Sequence, residues 1–288
     1  MRHMSPSRKA FVIFNYLFIT LVSLSMLLPF LHMLAGSFSS GAAITQGRVG
    51  IVPVEFTLGN FQAVLGDAKI WRAFQVTILL TVLGTTVNLI FTSLMAYGLS
   101  KTDLKGRSAI IVLVLFTMIF PAPMIPGYLL VKELGLLNSL WALIIPGAIS
   151  AFNMIIMINF FRNIPEGLIE SAKMDGAGEY YTLWKIVLPL SLPSLMTIGL
   201  FYAVGHWNSY MGALMYIRKQ ELFPLQVLLR RLLVESDEQI IIRVNNAVQS
   251  VEGIKMASIM VATVPILLVY PFIQRHFVKG AMLGSIKG

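Results

Sequence analysis

The chain has 288 residues, of which 57% are hydrophobic and only 12% charged; its net charge is +9 and it contains no cysteine. Soluble domains carry about 25% charged residues, so this composition excludes an ordinary soluble globule and points to an integral membrane protein. The missing cysteines exclude disulfides, thiol nucleophiles and thiolate metal sites, and without a basic cluster interleaved with aromatics nucleic acid is not an expected partner.

A helix needs about 20 apolar residues to cross a bilayer. The basic N-terminus MRHMSPSRKA opens onto the first such run, Phe11–Ala35. No small-residue cleavage site follows at the expected place, so the run reads as a retained helix and not a signal peptide. A more polar segment, about 37–73, precedes the second span, Phe74–Leu99. The third, Ser108–Val131, is interrupted by Pro121, Pro123 and Pro126, and the fourth, Leu140–Phe161, by Pro146-Gly147. A polar connector, 162–187, leads to the fifth span, Leu188–Leu214. A long segment, about 215–255, leads to the sixth, Met256–Phe277, which contains Pro265 and Pro271. Proline removes a backbone donor, and in lipid the freed carbonyls need partners or a watery cavity. These breaks fit a transport pathway or hinge; kinks that serve packing are the competing reading.

Six spans put both termini on one side. The short segments there carry Arg2, Arg8 and Lys9, then Lys101, Lys105 and Arg107, then Arg275, Lys279 and Lys287. By the positive-inside rule that side is cytoplasmic, and the 162–187 connector shares it. Segment 215–255 opposes this count with Arg218, Lys219, Arg230, Arg231 and Arg243, but it also holds Glu221, Glu235, Asp237, Glu238 and Glu252. Long mixed-charge loops translocate more readily than short basic ones, so it is expected outside with 37–73.

The connector is the most informative stretch. Asn163 is expected to cap a short helix, with Glu166 closing a capping box. Leu168, Ile169 and Ala172 share one face of it, and Glu166, Glu170 and Lys173 point elsewhere. Gly176 and Gly178 end it, because glycine accepts the left-handed turn that closes many helices. Pro189 and Pro193 mark the return to the membrane. A helix, a corner and a second helix on a membrane surface make a handle for a partner protein.

Reactive chemistry is missing. There is no G-x-x-x-x-G-K-[ST] phosphate loop, no H-E-x-x-H and no G-x-S-x-G. His3, His32, His206 and His276 are scattered, so no metal site and no catalytic residue is expected. Within the spans, Asn88 and Asn159 read as hydrogen-bonding glue between helices. The run His206-Trp207-Asn208-Ser209-Tyr210 offers aromatic faces beside amide and hydroxyl groups, which suit a sugar; an interfacial aromatic belt is the competing reading for Trp207 and Tyr210. The expected substrate pathway therefore takes in Asn153, Trp207, Asn208 and Tyr210.

The connector resembles the coupling loop of ABC importer permeases, the EAA motif: E-A-A, two residues, D-G-A, then an aromatic or aliphatic position and L-P. It stands here as Glu170-Ser171-Ala172, Asp175-Gly176-Ala177, Leu183 and Leu188-Pro189. Ser171 replaces the usual alanine and Leu183 the frequent phenylalanine. The W-N pair Trp207-Asn208, the outer pattern Pro53, Phe56, Thr57, Asn60 and Phe61, and the C-terminal Gly280-Ala281-Met282 through Lys287-Gly288 are similar to carbohydrate-type permeases. Pro29-Phe30-Leu31-His32 and Ser37-Phe38-Ser39-Ser40 resemble the subgroup for complex plant or algal oligosaccharides.

The resemblance implies an all-α integral membrane protein of six transmembrane helices with the type I ABC importer permease fold, one permease domain over 1–288. It implies a subunit of an ATP-driven oligosaccharide importer, similar to the second permease of the maltose system without its large extra domain. Glu170, Ala172, Asp175 and Gly176 would dock on an ATPase subunit, with Glu170 pairing a basic residue there. The implied partners are a second homologous permease, two ATP-binding subunits that hold ATP and magnesium, and an extracytoplasmic substrate-binding protein. The chain itself would be no enzyme, bind no cofactor, and sit in a bacterial cytoplasmic membrane with both termini inside. A stand-alone secondary transporter or channel for a small polar solute is the alternative.

Overall fold

The computed structural model of the chain describes residues 6–234 and 250–285, with side chains described over 7–234, 250–268 and at 271. Arg2, Glu235, Asp237, Glu238, Arg243, Arg275, Lys279, Lys287 and the C-terminal pattern from Gly280 to Gly288 fall outside the described side chains. All regular structure among the described residues is helical. Three helices are long and apolar enough to span a membrane alone, and three bent pairs bring the candidate spans to six.

In chain order, α1 (Pro6–Ser37) runs unbroken past Pro29. Two short helices follow, α2 (Gly41–Thr45), capped by Ser40, and α3 (Gly59–Leu65). Asp67 opens α4 (Ala68–Ser100) by accepting the Lys69 amide at 2.9 Å on its carboxylate. The third span is two helices, α5 (Arg107–Ile119) and α6 (Met124–Glu133), with a bend of 116° between them. The cause is Pro121 and Pro123 together: each bars the helical region to the residue before it, and Phe120 sits at φ −116°, ψ 80°. Pro126 does not interrupt anything; it lies in the first turn of α6, where its missing N–H would have no helical partner. The fourth span is α7 (Trp141–Ile144), a tight turn at Ile145–Gly147, and α8 (Ala151–Arg162), bent by 56°. The connector holds α9 (Glu166–Met174) and α10 (Glu179–Thr182). From α10 the chain passes through a widened turn, Leu183–Val187, into α11 (Leu188–Leu190) and then bends by 86° into α12 (Leu192–Trp207). Beyond lie α13 (Met211–Tyr216), α14 (Leu225–Val234) and α15 (Val251–Ser285). The expected interruption of the sixth span is corrected: α15 is continuous through Pro265 and Pro271. These prolines stand six residues apart, so each removes a single helical bond and the turns on either side hold.

Two compact units are present, 1–70 with 229–265 and 71–228 with 266–288. In the first, Asn60 is fully buried and its Nδ2 donates to the Ser37 and Ser39 carbonyls at 3.2 and 3.0 Å, satisfying the open C-terminus of α1. Gly253 leaves room for that amide, since a Cβ there would fall 2.7 Å from it. Phe38 stacks on Phe56 and packs tilted against Phe61, with ring centroids 5.5 and 4.7 Å apart, and Thr57 Oγ1 accepts the Gly59 amide at the start of α3. The Pro53–Phe61 pattern is therefore explained by folding: it closes the segment after α1. His32 Nδ1 meets the Gly50 carbonyl at 2.8 Å.

In the second unit, α4, α8, the widened turn and α12 share one core of Ala96, Tyr97, Leu99, Met154, Met157, Phe161, Leu183, Val187, Ile198 and Tyr202. Across it run two polar rungs. Asn88 Nδ2 lies 3.2 Å from His206 Nε2 and 3.4 Å from the Gly147 carbonyl. One turn along, Tyr202 Oη meets Thr92 Oγ1 at 2.7 Å and accepts the Ser150 amide at 2.9 Å. The backbone groups freed where the fourth span breaks are thus taken up by side chains of α4 and α12, as a membrane interior demands. Gly84 admits the His206 ring; a Cβ there would sit 2.5 Å from Nε2. Asn88 is the interhelical glue expected of it, whereas Asn159 lies on the exposed face of α8.

Candidate functional site: the connector between spans four and five

Local sequence dictates the connector's shape. Pro165 fixes its own φ near −57° and bars Ile164 from the helix, so α9 starts at Glu166. The expected Asn163 cap is corrected: Asn163 terminates α8, its amide directed at the Phe160 and Phe161 carbonyls. Asp175 then ends α9 and Gly176 turns left-handed at φ +80°. The Gly176 amide donates to the Lys173 carbonyl at 3.0 Å and the Ala177 amide to the Ala172 carbonyl at 2.9 Å, the two-bond closure of a Schellman motif. Gly178 is not left-handed; at φ −74°, ψ 165° it is the extended cap from which α10 begins.

The α9 face is only partly as expected. Ala172 is buried and Ile169 half-buried, so they seat the helix, while Leu168 remains exposed. Ala172 is thus unavailable to a partner. Glu170, Asp175 and Gly176 are exposed. Outward the connector also shows large apolar side chains, Met174 83% exposed, Tyr180 77% and Tyr181 58%, on an otherwise polar segment. Exposed apolar patches of this kind mark protein contacts. Beside them a pocket of about 380 Å³ opens between the end of α4, the end of α8 and α9, lined among others by Lys101, Asp103, Arg162, Glu166, Glu170 and Lys173.

Glu179 is the residue the sequence did not single out. Its Oε2 accepts from Tyr97 Oη at 2.7 Å and forms an ion pair with Lys101, both on or just past α4. Its Oε1 lies 3.3 Å from Lys173 Nζ on α9. The Lys101 ammonium and the Tyr97 hydroxyl hold the Glu179 carboxyl down to about 2, so it is ionised at any physiological pH. Lys101 also lies over the Tyr97 ring, 4.7 Å from its centroid. The only hint in sequence was an acidic residue in the first turn of α10; nothing local links it to a lysine 78 residues earlier.

The expected pathway residues do not form one constellation. Asn153 is buried at the start of α8, where its backbone amide donates to Ser150 Oγ at 3.4 Å. Asn208 caps α12, its Nδ2 spent on the Val204 carbonyl at 3.0 Å and its Oδ1 3.5 Å from Gln226 Nε2. Tyr210 packs on the apolar cluster of Ala213, Ile217, Phe223 and Val227. The buried indole N–H of Trp207 has no partner among the described residues. Among the described residues, no group of three His, Asp or Glu side chains could hold a metal ion.

Residues 104–282 match the family described as the binding-protein-dependent transport system inner membrane component. The chain is 47% identical over 276 residues to the polygalacturonan/rhamnogalacturonan transport system permease protein YtcP of Bacillus subtilis (strain 168), covering 95% of this chain and 96% of that one. It is 28% identical to the arabinooligosaccharides transport system permease protein AraQ of the same organism over the full length of both. Among solved structures, a chain of a bacterial ABC transporter involved in the import of the acidic polysaccharide alginate superimposes with a TM-score of 0.92 at 37% identity, covering 96% of this chain and all of that one. With its six candidate spans, its Schellman-closed connector and these matches along most of its length, the chain belongs to the family of inner-membrane permease components of binding-protein-dependent transport systems.

Proposed function

We propose that this chain is a transmembrane subunit of an ATP-driven importer of oligosaccharides, and that the 162–187 connector is its coupling element on the cytoplasmic side. One observation carries the reading: a rigid helix–corner–helix, locked by two backbone bonds at Gly176, presents Met174, Tyr180 and Tyr181 outward from a polar segment. Glu170, Asp175 and Gly176 contribute the exposed polar part of that surface, and Ala172 anchors it from below. The partner it fits is a separate ATP-hydrolysing subunit, which holds ATP and magnesium; this chain supplies the handle and the moving helices.

A second permease and an extracytoplasmic binding protein complete the assembly. The sister subunit is supported by α1, whose most apolar stretch is left unburied among the described residues of its own unit. The cargo is an oligosaccharide of the plant or algal kind, and the acidic polysaccharides named for YtcP and for the alginate importer make uronic-acid oligomers the first to try.

Purified with its candidate partners, the chain should retain the ATPase subunits, and replacing Tyr180 and Tyr181 together with Asp should weaken that retention by about tenfold, as loss of an interface anchor does. Uptake by this chain alone in vesicles without ATP would overturn the reading.

A further inference from the structure

We infer that Glu179 is a positioning residue that carries displacement of the connector into α4, so that the second span is driven directly by the coupling element. This rests on the coupling reading proposed above and deepens it.

The geometry divides the carboxylate between two elements. Oε1 faces Lys173 on α9, the helix whose outer side forms the docking surface. Oε2 is held by Tyr97 and Lys101, at the end of α4. Glu179 itself is the first residue of α10, where a negative charge is favoured by the helix dipole. One side chain thus closes a triangle of α9, α10 and α4. The α4 corner is itself braced: Arg107 Nε donates to the Leu99 carbonyl at 2.8 Å, tying the start of α5 to the last turn of α4.

The connector also meets the apolar core through Ile164, Leu183 and Val187, which pack with residues such as Ala96, Met157 and Ile198. Apolar contacts of that kind are non-directional and can slide. Charge-assisted hydrogen bonds fix orientation as well as distance. Along α4 lie Asn88 and Thr92, the residues that hold the broken fourth span and α12 through His206 and Tyr202. A shift of α4 imposed at Lys101 therefore reaches both polar rungs without passing through the 86° bend at Ser191. The ion pairs are half-exposed, with Glu179 and Lys173 each near 50%, so their worth is directional and not a large share of stability.

The test uses the complete importer in proteoliposomes, with sugar uptake and ATP hydrolysis measured per assembled complex. Glu179→Gln and Lys101→Gln should assemble normally and keep hydrolysis within about twofold of wild type, while uptake falls about tenfold, the scale of a lost coupling free energy. The triple exchange Lys101→Glu and Lys173→Glu with Glu179→Lys, which reverses both ion pairs together, should restore most of the uptake. Uptake and hydrolysis falling in proportion, or normal uptake in both Gln variants, overturns the inference. If Glu179→Gln fails to assemble, Lys101→Gln, which leaves the Lys173 arm intact, decides alone. Failure of the wild-type chain to bind an ATPase subunit would instead sink the coupling reading on which this one stands.

Discussion

Gly176 shows how one residue sets the connector's form. Its φ of +80° is open to glycine and costs other L-residues roughly 1–2 kcal/mol, yet a Cβ built there meets nothing within 4 Å. Bulk alone is therefore harmless, and the penalty is conformational. Gly176→Asn, which tolerates the left-handed region, should keep most of the uptake, Gly176→Ala less, and Gly176→Val least, at equal amounts of protein in the membrane. A series ordered by side-chain volume, with Asn as poor as Val, would show that the residue is needed for space at the partner's surface. The turn was legible in sequence because glycine's freedom is a local property. The role of Asn163 was not, although every residue concerned is local: two competing signals, a capping box and a proline two residues on, had to be weighed, and the proline's steric exclusion is the stronger. Glu179 was illegible for another reason, since Tyr97 and Lys101 come to it only through the fold.

At the level of elements, proline spacing separates bends from continuous helices. Pro121 and Pro123 flank a single residue and break the third span, whereas Pro29, Pro265 and Pro271 stand alone in α1 and α15 and do not. The fourth span breaks at Pro146-Gly147 because α4 and α12 supply what the backbone loses there. That exchange can be probed at Tyr202, whose hydroxyl serves both Thr92 and the Ser150 amide. Tyr202→Phe preserves the ring in the core and removes only the oxygen, leaving the half-buried Ser150 N–H without this acceptor and the buried Thr92 hydroxyl without this partner. An unsatisfied group of this kind costs about 1–3 kcal/mol, so the thermal midpoint of the purified protein in detergent should fall and uptake with it. Tyr181→Phe, on the exposed connector, should change the midpoint little. Equal midpoints for the two variants would mean that water, not Tyr202, satisfies the break. The sequence marked the breaks of the third and fourth spans, though it also placed one in the sixth where there is none and missed the bend at Ser191; the partners of the groups freed in the fourth span lie 52 to 59 residues away and belong to tertiary structure.

For the whole molecule the decisive quantity is which face of the membrane each segment occupies, and charge supplies the argument. Arg8, Lys9, Lys101, Lys105 and Arg107 stand in short segments on the side to which the count of spans assigns the connector, and short basic segments resist translocation. Residues 215–255 carry both signs of charge, so their side follows from the count of spans and not from their own composition. The absence of cysteine makes a direct test clean, because a single introduced thiol is the chain's only one. Val52 and Tyr180 are 65% and 77% exposed, and Gln220 is exposed as well. An impermeant maleimide added to intact cells should label Val52→Cys and Gln220→Cys, and should reach Tyr180→Cys only after permeabilisation. Labelling of Tyr180→Cys from outside would place the connector away from ATP and remove the basis for force transmission through Gly176 and Glu179. Protection of Gln220→Cys alone would leave that basis standing and instead revise the fifth span, whose helix already turns by 86° at Ser191 and ends at Trp207, short of the expected Leu214.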